Sequence, residues 1–396
     1  MNKVTLPFYG LTFLSGVVWL AIVPLVPAYA RTLSLSKVET GMVLAAAGVA
    51  TLVMSFPIGV LADRVGARAL TIGSSLLVVL SCLGQGLAAD FWALLAARAV
   101  FGVALGTIWT AGIAWISEAS SDYQRSTALG IPTTVAGLGI MVGPGFAGLL
   151  AGAFGVRTPY YVLAAASVVV TLALVRAPAS EAGYRSEPVL ATLRSARRDR
   201  FVLASCAVMA LIGLLNGGIN LLAPLELNRA GLSAGETGLV FSAASGIFVL
   251  VSAKVTRFGG RAVTPRVVGS AALLYAATLL VAVLSGSAAA IIVFLLLRAP
   301  FWSTLSTLSY PLGALGAHGA DLGRGAIMGL LNLVWGAASA VGPLAAGGLA
   351  QSLGERWVYA LLFAWCTATG IWLVVAPGRS GAARDAPEPV HAADHS

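Results

Sequence analysis

Two arginines stand inside long apolar stretches of this sequence, Arg98 in LAARAVFG and Arg298 in LLLRAPFW. A charged side chain in the hydrocarbon core of a membrane costs about 2.5–3.5 kcal/mol on insertion scales, so each arginine needs a partner or a polar cavity. Because they occupy matching positions in two similar parts of the chain, we expect both to face one central cavity. Such a cavity would favour an anionic substrate, or the arginines would pair with a carboxylate or a backbone carbonyl.

An alternative for Arg98 is that it reaches the membrane surface. It lies seven residues after Phe91, about 10 Å along a helix, so its long side chain could snorkel outward. Further polar or aromatic side chains in the apolar stretches are candidates for a substrate or proton pathway, although tryptophans at helix ends are often only interfacial. These candidates are Tyr9, Trp19, Trp109, Asn216, Asn220, Trp302, Tyr310, Asn332 and Trp335.

Residue patterns typical of enzymes and metal sites are missing from the sequence. It contains no HExxH or GxxxxGK motif, so zinc-dependent hydrolysis and nucleotide hydrolysis are not predicted. The histidines His318, His391 and His395 lie outside the apolar stretches, and the three cysteines match no metal-ligand spacing. We therefore predict neither an enzyme nor a bound metal or cofactor.

Composition predicts that most of the chain lies in a membrane. Of its 396 residues, 58% are hydrophobic and 10% are charged, and the mean hydropathy is +0.91, whereas soluble domains carry about 25% charged residues. A helix needs about 20 apolar residues to span the hydrocarbon core. The uncharged run Val267–Leu297 is too long for one span and is divided at Ser285-Gly286-Ser287, with the second part running through Arg298 into Ala299–Ala317. The other predicted spans are the uncharged runs Val4–Ala30, Thr40–Ala62, Ala69–Ala89, Ala99–Ser117 (with Arg98 in the same helix), Ser126–Val156, Thr158–Val175, Phe201–Leu225, Thr237–Ala253, Gly325–Gly354 and Trp357–Gly378, which makes twelve.

The net charge of +9 is a topology signal and does not predict binding to nucleic acid. With both termini in the cytoplasm, 17 of the 24 Lys and Arg residues fall on the cytoplasmic side, as expected for an inner-membrane protein. Ala28-Tyr29-Ala30 resembles a signal-peptidase site. The apolar run before it is longer than a signal sequence needs, so we favour a first membrane span.

Internal similarity divides the chain into two units. Residues 125–157 match residues 324–356 without a gap, 199 positions later, and Pro27 and Arg98 have counterparts in Pro224 and Arg298. The predicted architecture is all-α, with two parallel repeats of six spans, which is typical of transporters that bind substrate between their halves. We predict a bundle over 1–176, a cytoplasmic linker over 177–200, a second bundle over 201–378 and a disordered tail over 379–396.

The sequence GVLADRVGAR, residues 59–68, follows the second predicted span. It resembles the loop signature of the major facilitator superfamily, and a partial copy, SAKVTRFGGR, follows the eighth span. The resemblance implies a twelve-helix transporter like the bacterial drug/proton antiporters. It also implies a cytoplasmic latch that holds the halves together, in which Asp63 faces the start of span 11 near Gly325. The latch residues would be Gly59, Asp63, Arg64, Gly66, Arg68 and Glu118.

A small-residue ridge in span 5, GIMVGPGFAG, resembles the motif of antiport-type members, and span 11 repeats it. Ridges of this kind let helices approach closely in lipid, and proline bends a helix. Plain helix packing is therefore the alternative to a role in antiport. The residues concerned are Gly139, Gly143, Pro144, Gly148, Gly342, Pro343 and Gly347.

These features predict a secondary active transporter that moves a small molecule by alternating access. Proton-coupled efflux by a monomer is the leading hypothesis, and the resemblance of LAARAVFG to a further family signature implies that Arg98 takes part in proton coupling. Uptake of a small organic anion and a non-transporting membrane sensor remain alternatives.

Overall fold

A computed structural model describes residues 5–118, 122–177, 199–258, 263–320 and 324–375. Nearly all of these residues are helical. Most of the predicted linker 177–200 and the whole predicted tail 379–396 lie outside this part of the chain, so the domain boundaries stay predictions.

Twelve helical segments, α1 to α12, are long and apolar enough to cross a membrane, which confirms the predicted number of spans and the all-α class. Two are interrupted: α1 contains a 3₁₀ turn, and α4 contains a π-helical turn. The segments are α1 (Thr5–Ala21, Val23–Leu25 and Val26–Thr32), α2 (Lys37–Val65), α3 (Ala67–Leu87), α4 (Phe91–Thr107, Ile108–Gly112 and Ile113–Glu118), α5 (Asp122–Phe154), α6 (Thr158–Val175), α7 (Arg200–Arg229), α8 (Ala234–Arg257), α9 (Pro265–Leu284), α10 (Ala288–Ala320), α11 (Arg324–Ser352) and α12 (Glu355–Val375).

Local sequence explains where these helices begin and end. Ser36 starts α2 and Ser233 starts α8, each through a reciprocal capping box with a glutamate three residues later, which satisfies two free N–H groups of the first turn. Gly66 separates α2 from α3 at φ 93°, a backbone conformation that favours glycine. The turn between α9 and α10 falls at Ser285–Ser287, as predicted.

Packing follows the internal repeat. In the first half, α1 packs on α5 and α2 on α4; in the second half, α7 packs on α11 and α8 on α10. Two further pairs, α5 with α8 and α11 with α2, join the halves. We call the end where α1 begins and α12 ends the terminal end, and the opposite end the distal end.

The glycines of the span-5 motif make two kinds of close contact. A Cβ added at Gly139 or Gly143 would lie 2.2 Å or 2.6 Å from a backbone oxygen of α1, in the same half. A Cβ added at Gly148 would lie 2.2 Å from the Ala234 oxygen of α8, in the other half. Because such distances are shorter than any real Cβ contact, these positions require glycine.

The repeated ridge in α11 shows the same division. A Cβ at Gly342 would lie 2.9 Å from the Leu214 oxygen of α7, and a Cβ at Gly347 would lie 2.5 Å from the Lys37 oxygen of α2. Pro343 also faces α2, because its oxygen would lie 2.4 Å from a Cβ at Gly41. Each ridge therefore packs against its own half and against the opposite half.

The pair α2–α11 separates toward the terminal end. At the distal end these helices meet at Gly41 and Pro343, and a Cβ at Gly48 would still contact Ala340 at 3.4 Å. Nearer the terminal end, Gly59 of α2 and Gly336 of α11 have no atom within 4 Å of an added Cβ among the described residues. The halves are thus closed against each other at the distal end and diverge from there.

Candidate functional site

Arg98 lies inside the first half. Only 2% of the residue is exposed, and its guanidinium carbon lies 5.5 Å from the centre of the Phe101 ring. Tyr160 of α6 and Cys82 of α3 are its electrostatic neighbours. The positive charge is therefore enclosed by α3, α4 and α6, and a cation–π contact accounts for part of its stabilisation.

Polar groups near Arg98 form a small network. The Tyr29 ring centre lies 6.3 Å from that of Tyr160. The Tyr29 hydroxyl donates to the backbone carbonyl oxygen of Gln85 at 2.8 Å. The Gln85 amide in turn donates to the Ser81 hydroxyl at 2.9 Å. By contrast, Arg98 Nε, Arg98 Nη1 and the Tyr160 hydroxyl are buried without a hydrogen-bond partner among the described residues.

Arg298 occupies the corresponding place in the second half and is also 2% exposed. Its Nη1 lies 3.3 Å from the Tyr275 hydroxyl of α9. The guanidinium carbon is 5.1 Å from the Trp302 ring centre and 5.9 Å from that of Phe294. This arginine therefore has both a hydroxyl partner and two aromatic contacts.

A carboxylate completes the second site. The Tyr359 hydroxyl of α12 donates to Glu226 Oε2 of α7 at 2.8 Å, and Tyr359 is within electrostatic reach of Arg298. Tyr359 therefore bonds the Glu226 carboxyl group and has Arg298 as an electrostatic neighbour. A hydrogen bond to a charged acceptor is worth more than a neutral one.

The prediction of one cavity shared by both arginines is wrong in this structure. Each guanidinium points into the interior of its own half, where aromatic rings and hydroxyl groups surround it. Snorkelling of Arg98 is also wrong, because a side chain that reached the membrane surface would not be 98% buried. A buried arginine side chain points toward the groups that stabilise its charge, and here those groups lie within each half and not between the halves.

Of the other predicted pathway residues, Trp19 and Trp335 meet between the halves, and Tyr310 and Asn332 meet within the second half. Trp19 of α1 lies 6.0 Å from Trp335 of α11 and 6.4 Å from Phe101, measured between ring centres. The Tyr310 hydroxyl donates to Asn332 Oδ1 at 2.5 Å and so joins α10 to α11. Trp109, in the π-helical turn of α4, is 36% exposed, and π turns occur frequently at functional sites.

Two predicted pathway residues, Asn216 and Asn220, lie on α7 and are half-buried. A Cβ at the neighbouring Gly213 would lie 2.9 Å from the Trp335 oxygen. This part of α7 therefore lies against the segment of α11 that carries Trp335.

The predicted latch is described only in part. The side chains of Asp63 and Glu118 lie outside the described residues, and Arg64 is exposed. Arg68 donates from Nη2 to the Val175 oxygen at 2.8 Å and from Nε to the Ala177 oxygen at 3.1 Å. Its observed partners are thus the carbonyls at the end of α6, which is a favourable place for a cation.

Polar contacts hold the halves together at the distal end. Lys37 of α2 forms a 2.6 Å ion pair with Glu355 of α12 and donates to the Ala350 oxygen at 3.1 Å. Arg31 donates to Asn228, which joins α1 to α7. Sequence reasoning did not predict these contacts, because the partners are about 200 or more residues apart.

Several residues of the arginine sites were missed but are marked by the repeat. Tyr359 stands 199 positions after Tyr160, the same offset as the glycine ridges, and Glu226 stands two residues after Pro224 just as Tyr29 stands two residues after Pro27. Extending the repeat by a few residues would have identified both tyrosines and the carboxylate.

Comparison with known proteins gives partial matches to drug-resistance proteins. The chain is 29% identical to Multidrug resistance protein 2 of Bacillus subtilis over 37% of each chain. It is 32% identical to Multidrug resistance protein MdtG of Serratia proteamaculans over 38% of each. For Quinolone resistance protein NorA of Staphylococcus aureus the identity is 24%, over 48% of this chain and 51% of that protein. The chain therefore matches about half of these relatives' length or less.

Two solved structures share the fold over most of the chain. Both are of a bacterial homologue of the human lysosomal transporter Spinster, in inward-facing conformations, one unoccupied and one occupied. Their TM-scores are 0.71 and 0.73 at 17% and 19% identity, with 94% of each chain covered.

The Major Facilitator Superfamily model matches residues 8–323. This match extends across the glycine ridge of α5, both Arg98 and Arg298 and the loop after α2. The chain is a multi-pass membrane protein that belongs to the Major Facilitator Superfamily.

Proposed function

We propose that this transporter exports a small amphipathic molecule by alternating access and that proton movement drives the export. The observation that carries this proposal is the divergence of α2 and α11, which meet at Gly41 and Pro343 but not at Gly59 or Gly336. Such an arrangement is one of the two end states of a rocking transporter. Opening of the distal end would complete the cycle.

The groups between the halves favour an amphipathic substrate without a required negative charge. Trp19 and Trp335 offer aromatic surface between the halves, and Tyr310 and Asn332 of the second half offer neutral hydrogen-bonding groups. Neither arginine reaches this region, since both are buried in their own halves. An anionic substrate is therefore less well supported than the positions of the arginines in the sequence indicated.

The printed names of the relatives support export of drug-like molecules. Three partial matches are named for multidrug or quinolone resistance, and resistance by a membrane transporter requires removal of the compound from the cell. Because the matches cover about half of those proteins or less, this support extends to the class of substrate only.

A reversible lock at the distal end tests alternating access. A Cβ added at Gly48 of α2 would lie 3.4 Å from the Ala340 Cβ of α11 across the halves, so cysteines at these two positions are close enough to form a disulfide. We expect Gly48→Cys/Ala340→Cys, in a background without Cys82, Cys206 and Cys366, to lose transport when oxidised and to regain it with a reductant. The two single variants, treated identically, are the controls.

Transport itself should be measured in proteoliposomes with a quinolone and a lipophilic fluorescent dye as probes. Export predicts that an imposed proton gradient drives the probe uphill and that probe movement changes the internal pH. Probe movement that is independent of the proton gradient would contradict proton coupling. Probe movement in the direction opposite to export would indicate uptake. No movement by a folded protein would favour the sensor hypothesis.

We also propose that the terminal end faces the cytoplasm of a bacterial cell and that the protein resides in the inner membrane as a monomer. The excess of Lys and Arg on that side supports this orientation. Reporter fusions at Arg194 should then be cytoplasmic, and fusions at Arg157 should be external. The reverse pattern would invert the topology.

The latch remains part of this proposal. Asp63 would bind the start of α11 when the terminal end closes, since a helix N-terminus favours a carboxylate. Asp63→Asn should then impair transport without preventing insertion, and a cysteine near Gly325 should become more accessible from the cytoplasm. Full transport together with unchanged accessibility would contradict the latch.

A further inference from the structure

The first-half arginine is buried without a balancing negative charge among the residues that the structure describes. Its electrostatic neighbours are Tyr160 and Cys82, and neither is a carboxylate. Asp90, the nearest acidic residue along the chain, caps the start of α4 at the surface. Burial of a charge is unfavourable unless that charge is paired and hydrogen-bonded.

Three hydrogen-bond donors at this site have no partner in the described part of the protein. They are Arg98 Nε, Arg98 Nη1 and the Tyr160 hydroxyl, and each is fully enclosed. Buried polar groups in native proteins nearly always have a partner, so three neighbouring exceptions need an explanation. All three belong to side chains that are at least 98% buried.

The second half shows what the first half lacks. There the equivalent tyrosine, Tyr359, donates to the Glu226 carboxylate. The residue equivalent to Glu226 is Tyr29, which is uncharged and donates instead to the Gln85 carbonyl. The repeat therefore preserves the arginine and the tyrosine, but the first half has the Tyr29 phenol where the second half has the Glu226 carboxylate.

We propose that the site formed by α3, α4 and α6 binds a small monovalent anion, such as chloride, between Arg98 and Tyr160. The anion accepts from the donors that have no partner among the described residues. One negative charge balances the single guanidinium. This ligand belongs to the scaffold of the first half, and the proposal does not depend on which substrate the protein transports.

The test measures thermal unfolding of the full-length protein in lipid nanodiscs. Sodium chloride replaces sodium gluconate at constant ionic strength, so that general screening stays the same. A ligand that binds only the folded state raises the midpoint of unfolding, and we expect an increase of about 3 °C at saturating chloride. Bromide soaked into crystals should give an anomalous peak beside Arg98.

Two variants assign the effect to this site. Arg98→Gln removes the positive charge, so the chloride-dependent shift should disappear. Tyr29→Glu supplies a carboxylate at the position of Glu226, so the protein should keep its stability in gluconate and no longer respond to chloride. Tyr275→Phe, which alters only the second site, should keep the wild-type shift.

Tyr160→Phe provides a milder variant if the others fail to fold. Loss of one donor to the anion should raise the half-saturating chloride concentration about tenfold. The proposal is overturned if the wild-type midpoint is independent of chloride. It is also overturned if Arg98→Gln and Tyr29→Glu respond like the wild type, or if bromide binds elsewhere only.

Discussion

The two arginine sites are built from equivalent positions of the repeat, but they balance charge differently. Arg298 has the Tyr275 hydroxyl beside it and the Glu226 carboxylate beyond Tyr359. Arg98 has an aromatic contact but no carboxylate among the described residues. The comparison shows that a repeat can preserve the position of a charge while changing how that charge is stabilised.

The largest expected difference concerns removal of each arginine. If Glu226 is the counter-charge of Arg298 through Tyr359, Arg298→Met leaves that carboxylate unpaired, and such changes typically cost about 3 kcal/mol or more. Arg98→Met removes a charge that has no described counter-charge, so in chloride-free buffer we expect a change within about 1 kcal/mol. Equilibrium unfolding in mixed micelles measures both. Equal losses would show that the two sites are balanced alike.

A double variant sharpens the assignment of Glu226 as the partner of Arg298. If the two charges interact through Tyr359, Glu226→Gln should relieve part of the loss caused by Arg298→Met. We expect an interaction energy of about 1–2 kcal/mol in the double-mutant cycle. Glu236→Gln, at an exposed capping position of α8, is the control and should be additive with Arg298→Met.

The equivalent tyrosines should differ by a smaller amount. Tyr359→Phe removes a hydrogen bond to a carboxylate, which is worth about 1.5–3 kcal/mol. Tyr160→Phe removes a hydroxyl that has no described partner, so without chloride the unfolding free energy should change by less than about 0.5 kcal/mol. A large loss for Tyr160→Phe in gluconate would mean that another group already satisfies its hydroxyl.

The smallest effects are expected for hydroxyls that lie at the edge of each site. The Tyr29 hydroxyl bonds a neutral carbonyl at 2.8 Å, and the Tyr275 hydroxyl lies 3.3 Å from Arg298. Each Tyr→Phe substitution should cost about 1 kcal/mol. If Tyr275→Phe costs as much as Arg298→Met, the phenol and not Glu226 is the main partner of that arginine.

Much of the fold follows from the sequence, because long uncharged runs and the gapless repeat determine the number of helices. The turn at Ser285–Ser287 was predicted for this reason. The direction of Arg98 was not, because it depends on which helices cover that face of α4. The repeat makes Tyr160 equivalent to Tyr359, but only the structure shows that the Tyr359 hydroxyl has a carboxylate partner and that the Tyr160 hydroxyl has none among the described residues.

The glycine ridges of α5 and α11 have a mechanical consequence. At Gly148 and Gly347 the surfaces between the halves are backbone against backbone, so little side-chain interlocking has to be undone when the halves slide. The energy of these two contacts should therefore change little as one half rotates against the other. The energy barrier to this movement would then come mainly from a few polar contacts, such as the ion pair of Lys37 with Glu355, which must break before the halves can move.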